Sequence, residues 1–379
     1  MSHSPSPSIK FKPATISQPP INSIPPSLLP RFDPIFAAYH THYSAGRLAT
    51  HQIPIEEMRK NPQKYQVVYG RAIAPDVHAI TNLRCPVAPA KPKIGEGEET
   101  RSITVRVFEP KMDADGKGKK RPIYVNYHGG GWVFGGLETD FEFCKRLVNE
   151  LGCVVFDVDY RLAPEYPWPI PVEDSIAAFK WIVSDAMLEK YCLDRERVAV
   201  GGISAGGMLA AVLAHVCRDE GLPLSFQLLG VPAVDMDGFG KMGEMTEEGW
   251  RRWGSYTEMR DTVPLPVERM SWFAGKFLGV PRGEETYNNF KVSPYHAKNF
   301  AGLAPALIMT AEMDPLRDEG EAYGRKMNEA GSRAEVIRMG GMPHTFMMMD
   351  DILEGGMRYN REAVRALGEV WGLAGKKGV

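Results

Sequence analysis

The chain is predicted to fold as an α/β protein built on a mostly parallel, doubly wound sheet. Three features of its 379 residues predict this. From Ser102 onward, short apolar runs alternate with segments of helical spacing, the rhythm of strand and crossover helix. The runs Pro122 to Tyr127 and Cys153 to Val158 are continuously apolar, as expected of strands covered on both faces. Arg197-Val198-Ala199-Val200 passes through Gly201-Gly202 straight into a small-residue helix, a strand–turn–helix unit.

Residues 1–30 are rich in Pro and Ser, with Pro19-Pro20 and Pro25-Pro26, and are expected to lie extended or disordered. Amphipathic helix patterns follow at Pro34 to Tyr39 and around Ile55 to Met58. Ser102 to Phe108 alternates β-branched and polar residues and reads as a strand. The two apolar strands come next, then a helix from Glu173 to Ser184 with Ile176, Ala177, Phe179 and Ile182 at helical spacing. The helix from Ala205 to Arg218 stops at Gly221 and Pro223. Ser225 to Val231, Ala306 to Thr310 and Ala334 to Met339 are further strand candidates. The stretch from Asp235 to Tyr295 breaks the rhythm, with helical fragments at Thr246 to Tyr256 and Val267 to Phe277. Long connections inside a compact domain are usually functional. The expected organisation is a Pro-rich extension (1–30), N-terminal cap helices and linker (31–95), a first core part (96–234), a cap insertion (235–295) and a second core part (296–379).

A compact chain of this length buries roughly three quarters of its unfolded surface, so it needs no disulfide or metal staple. A formal charge of −2, without a basic stripe, argues against nucleic acid as a partner. The tail pair Lys376-Lys377 is expected to be solvated. Five scattered cysteines without a CxxC pair suit a reducing compartment. There is no signal-peptide pattern and no apolar run of about eighteen residues, so a cytoplasmic protein without a membrane span is expected. His40 and His42 have no third partner nearby and read as a solvated surface pair, so neither a metal site nor a cofactor is expected. Oligomeric state is not legible.

Chemistry concentrates in two glycine-rich segments. Gly202-Ile203-Ser204-Ala205-Gly206 lies at a strand-to-helix bend, where Gly202 and Gly206 remove side chains that would clash and Ser204 is left exposed. Alone, the same pattern reads equally well as a helix N-cap after a glycine turn. His128-Gly129-Gly130-Gly131-Trp132 follows the strand ending at Tyr127 and can aim backbone N–H groups at a substrate oxygen. The Lys-Ser/Thr ending of a phosphate loop is absent. Together the two segments point to acyl transfer, with Gly130, Gly131 and Ala205 donating to an oxyanion and each donor contributing about 3–4 kcal/mol. His128 is expected to brace the loop by hydrogen bonds. Among nine histidines, His344 sits in a loop between the last strand candidate and the C-terminal helix, where such a sheet presents catalytic groups. Asp314 stands at the carboxyl end of the strand Ala306 to Thr310, with Glu312, Asp318 and Asp350 as rivals. The order Ser204, Asp314, His344 is that of the α/β-hydrolase architecture.

The segments His128 to Trp132, Asp159-Tyr160-Arg161-Leu162-Ala163-Pro164-Glu165, Gly202 to Gly207, Asp314 to Gly320 and His344-Thr345-Phe346 resemble the hormone-sensitive-lipase-like family of α/β-hydrolases over roughly residues 100–370. The resemblance implies an α/β-hydrolase fold with an eight-stranded, mostly parallel, doubly wound sheet, a helical cap and esterase activity. It implies Ser204 as nucleophile, His344 as general base and Asp314 as its orienting acid, with Tyr160 to Glu165 structural. The family often has Asp or Thr immediately before the serine, where this chain has Ile203. That change should alter local hydrogen bonding without removing the triad.

Trp250, Trp253, Tyr256, Met259, Met270, Trp272 and Phe273 fill the expected cap, and Met347-Met348-Met349 follows the expected base. A pocket lined by such residues would take a lipophilic group, although most of them can simply pack cap onto sheet. The sequence reading is a carboxylesterase or lipase-like hydrolase of small lipophilic esters. An amide, lactone or thioester substrate, or acyl transfer, could use the same triad. A non-catalytic small-molecule receptor on this scaffold ranks below, because all three triad members are present.

Overall fold

The computed structural model describes residues 21–373 except 62–63, 65–69, 96, 112–118, 282, 284–285 and 287–288. The first twenty residues of the Pro-rich extension and Lys376-Lys377 therefore lie outside the described residues. Eight strands form one sheet: β1 (Ala79–Ala90), β2 (Thr100–Glu109), β3 (Arg121–Tyr127), β4 (Val154–Asp159), β5 (Leu193–Ile203), β6 (Phe226–Gly230), β7 (Ala306–Ala311) and β8 (Ala334–Met339). Their order is β1-β2-β4-β3-β5-β6-β7-β8. β2 runs antiparallel to both neighbours, and every pairing from β4 to β8 is parallel.

The double winding follows from the side-chain period of two. In β3, Ile123, Val125 and Tyr127 point into one core and Tyr124 into the other; in β4, Phe156 and Val155 divide in the same way. The first core is covered by the helices Ile170–Ile182 and Ala205–Glu220, the second by Phe141–Leu151 and Glu354–Val370. Gly152 and Gly221 end two of these helices with φ of +62° and +66°, a backbone region open to residues without a Cβ.

All seven strand candidates form strands. β1 was not among them. Its segment carries Pro86 and Pro89, which argue against a central strand. As the sheet edge it pairs on one side only, from Ala79 opposite Glu109 to Ala90 opposite Thr100, with a register shift between Pro86 and Ala90. Of the extension expected to lie extended or disordered, the described residues 21–30 are ordered against the protein: Ile24 and Leu28 are buried in the second core, and a 3₁₀ turn begins at Leu29. His40 is not a solvated surface residue either. The helix Pro34–Tyr43 places it one turn after Phe36 on the inner face, where it is buried and its Nε2 meets the Asn22 carbonyl at 2.7 Å.

Chain direction across the sheet reverses around β3. The chain leaves β3 for β4 on one side, then crosses back to β5 on the other. Open α/β sheets bind ligands in the crevice at such a switch point, outside the carboxyl ends of the strands. Here those ends are Tyr127, which leads into the glycine run, and Ile203, which leads into Ser204.

Candidate active site

Ser204 has φ +58° and ψ −116°, an unusual conformation for a residue with a Cβ. Its surroundings hold it there. Its N–H donates to the Gly230 carbonyl at 2.8 Å, and its carbonyl accepts from Met208 N–H at 3.0 Å. The flanking glycines are sterically required: a Cβ on Gly206 would lie 1.8 Å from the Tyr127 carbonyl oxygen, and one on Gly202 would lie 2.3 Å from the same atom. The bend therefore depends on bare backbone passing the end of β3.

The glycine run is held from three directions. Gly130 and Gly131 take φ of +119° and +62°, and a Cβ on Gly131 would strike the Phe273 ring at 2.2 Å. Trp132 stacks on Phe277 at 4.2 Å, so the insertion helix Val267–Leu278 packs directly on this loop. His128 is fully buried, meets the Gly129 carbonyl at 2.8 Å through Nδ1, and stacks on Tyr160 at 4.2 Å. Burial holds its imidazole below the ordinary range, so it stays neutral. Tyr160 Oη donates to the His128 carbonyl at 2.8 Å, Ala163 N–H donates to the Trp132 carbonyl, and Arg161 pairs with buried Asp174 at 2.6 Å.

Asp314 and His344 meet at 2.7 Å between Oδ2 and Nδ1, both buried. The second carboxylate oxygen of Asp314 accepts from Leu316 N–H at 3.1 Å, which fixes the group's orientation. The rival acids are engaged elsewhere. Asp318 takes Ser255 N–H and Arg317, and Asp350 takes Ala72 N–H, Arg146 and Asn360. Glu312 accepts from Gly341 N–H at 2.8 Å and from Arg31 at 3.3 Å. Arg31 and Arg317 both reach Glu258, so this network ties the N-terminal segment and the insertion to the loops carrying Asp314 and His344.

The Gly341 N–H, and after it Arg31, hold the Glu312 carboxyl below the ordinary carboxylate range. Its stabilisation is thus complete above that range and is lost as pH falls through the depressed value. Glu312→Gln should be less stable than wild type at neutral pH by about 1 kcal/mol or less. The gap should close in acid. Urea unfolding across pH checks this; a constant gap would contradict it.

Ser204, Gly129, Gly130, Gly131 and His344 line one cavity of about 500 Å³. Ala205, fully buried, opens the helix beside Ser204. The cavity's other walls come from both flanking segments, with Thr50, Met58 and Arg59 from the N-terminal side and Leu265, Met270 and Phe273 from the insertion. Met348 also reaches it, whereas Tyr256 and Met259 are wholly buried as packing. Ile203 lines it too, and its Cγ1 lies 3.3 Å from where a Cβ on Gly230 would sit. Apolar packing takes the place of a polar group before the serine.

A model of the alpha/beta hydrolase fold matches residues 124–348. The chain is 36% identical over 247 residues to a carboxylesterase of Mycobacterium tuberculosis, covering 65% of this chain and 71% of that protein. It is 32% identical over 269 residues to an arylesterase of Saccharolobus solfataricus, covering 69% and 81%. Among solved structures, an esterase of Pyrobaculum calidifontis superposes with a TM-score of 0.73 at 30% identity, over 90% of this chain and 99% of that one. The chain belongs to the hormone-sensitive-lipase-like family of α/β-hydrolases.

One feature of this hydrolase had no signal in its sequence. Asp235 is buried, lines the cavity and accepts from Arg252, Trp253 and the Asp237 N–H. Asp235, Asp237 and His296 bring three donor atoms within 4.8 Å of one another, a grouping that could hold a metal ion. Arg252 already supplies positive charge there, bonded to both Asp235 and His296. The cluster works as a clasp between the start of the insertion and its end. Glu319, buried beneath it, accepts from the N–H groups of Val234 and Asp235 and from Tyr256. No helix of the described residues is long and apolar enough to cross a membrane.

Proposed function

We propose that this hydrolase is a serine carboxylesterase acting on small lipophilic esters through an acyl-enzyme. Ester-bond hydrolysis itself follows from its relatives. The mechanism proposed is as follows. His344 takes the Ser204 proton, and the hydroxyl oxygen attacks the ester carbonyl. The oxyanion rests on the N–H groups of Gly130, Gly131 and Ala205, at the N-terminal end of a sixteen-residue helix. His344 returns the proton to the leaving alcohol, then activates a water that releases the acid. Asp314 orients the imidazole and stabilises its charged form.

The observation that carries this reading is the 2.7 Å Asp314–His344 pair opening onto the same cavity as the strained serine and the glycine loop. The apolar side chains of that cavity support a lipophilic acyl or alcohol group. A chain-length series of p-nitrophenyl esters, run beside an anilide and a lactone, tests the substrate class. Esters should be turned over fastest, and faster turnover of the anilide or lactone would overturn the ester assignment.

A cytoplasmic setting is part of the proposal. None of the five cysteines, all among the described residues, is in a disulfide, and burial pushes the thiols of Cys85, Cys153 and Cys217 up to about 12. Such thiols are chemically quiet and fit a compartment without disulfide formation.

A further inference from the structure

The glycine run is fixed by a line of hydrogen bonds that begins outside it, on the short N-terminal helix Ile55–Lys60. The Gly130 carbonyl accepts twice, from Val133 N–H at 3.2 Å and from Phe134 N–H at 2.9 Å. Each of these donors belongs to a peptide unit whose carbonyl is held in turn. The Trp132 carbonyl, in one unit with Val133 N–H, accepts from Ala163 N–H at 2.9 Å. The Val133 carbonyl, in one unit with Phe134 N–H, accepts from Arg59 Nη2 at 3.1 Å.

Arg59 is partly buried and lines the cavity at Ser204. Its Nη2 donates a second time, to the Ala163 carbonyl at 2.8 Å, and its Nη1 pairs with Glu165. Both N–H groups of Nη2 are thus matched to carbonyls, one on the loop after β3 and one on the loop after β4. A lysine ammonium lacks this fixed fork. The residues beside Arg59 seat its helix, with Ile55 buried in the first core and Met58 buried at the cavity wall.

In a trans peptide unit the C=O and N–H groups point in opposite directions. The unit joining Gly130 to Gly131 has its carbonyl anchored by Val133 and Phe134, so the Gly131 N–H is turned away from that anchor. The bonds therefore run one way. They lead from the Arg59 guanidinium through the Val133–Phe134 unit to the Gly130–Gly131 unit, and end on an N–H of the oxyanion hole. Hydrogen bonds in such a line polarise one another, and a charged donor at its head strengthens the links that follow.

We propose that Arg59 is a positioning residue of the oxyanion hole, aiming and polarising the Gly131 N–H through these peptide units, so that the hole is complete only with the N-terminal helix docked. This rests on the esterase reading above, in which Gly131 donates to the oxyanion. The effect falls on the transition state, because a polarised N–H gains most when the oxygen it meets has become negative.

The test measures kcat and KM on a p-nitrophenyl ester, and Ki for an alkyl trifluoromethyl ketone, in wild type, Arg59→Met and Arg59→Lys. With the ketone, Ser204 Oγ adds to the carbonyl carbon, its proton passes to His344, and the oxygen left negative occupies the hole. Arg59→Met should lower kcat by about ten- to a hundredfold, less than removal of a whole donor, and raise Ki by a similar factor. KM should stay within about threefold. Arg59→Lys should fall between Arg59→Met and wild type. KM and Ki do not depend on how much of the enzyme is folded, so a variant that folds poorly still reports. An unchanged Ki in Arg59→Met, or a loss confined to KM, would overturn the proposal alone. Absence of ester turnover by wild type would overturn the esterase reading and the proposal with it.

Discussion

Replacing Ser204 with alanine is expected to lower kcat on a p-nitrophenyl ester by about 10⁶-fold, the scale found when a triad serine is removed. The fold should survive. The backbone of residue 204 is held by Gly230 and Met208 through its own N–H and carbonyl, and the bend is made by Gly202 and Gly206, so the hydroxyl carries none of that load. Thermal unfolding should stay within a few degrees of wild type. Near-normal turnover by the folded variant would remove Ser204 from the mechanism.

Asp314→Asn should lower kcat by about 10⁴-fold. The new side chain has almost the same volume, and its orientation is dictated by its surroundings. Leu316 N–H donates to one oxygen of Asp314, so the amide oxygen must take that place and the amide NH₂ must face His344 Nδ1. Nδ1 then becomes an acceptor, the proton moves to Nε2, and the ring can no longer accept the serine proton there. KM should change little. A loss of less than tenfold would mean that the carboxylate does not orient the base.

Much of this layout was legible in the sequence because its causes are local. The strands β2 to β8 declared themselves by apolar runs, and the serine bend by two glycines whose role is steric. Asp314 and His344 were found by their place after two strands, and the structure brings them to 2.7 Å. What the sequence hid depends on contacts between distant segments. β1 was obscured by prolines that only an edge strand tolerates. His40 looked like a surface residue until the helix carrying it was docked on the second core. Thr50 and Arg269 are far apart in the chain, and nothing in either neighbourhood marks them as lining one cavity. The polar support under the glycine run was also unread. Asn126, within an apolar strand, donates to Asp140 and Asp157, and burial pushes the Asp157 carboxyl well above its ordinary range. A lone Asn in such a strand was the available signal.

The central claim is that Ser204 is a nucleophile activated within this cavity. Labelling with a fluorophosphonate, read by intact mass and peptide mapping, tests it most directly, because the reagent is attacked by activated serines and remains attached. One adduct per chain on the peptide carrying Ser204, abolished in Ser204→Ala and strongly slowed in Asp314→Asn, is the predicted result. A folded wild-type protein that takes no adduct, or takes it on another residue, would contradict the account.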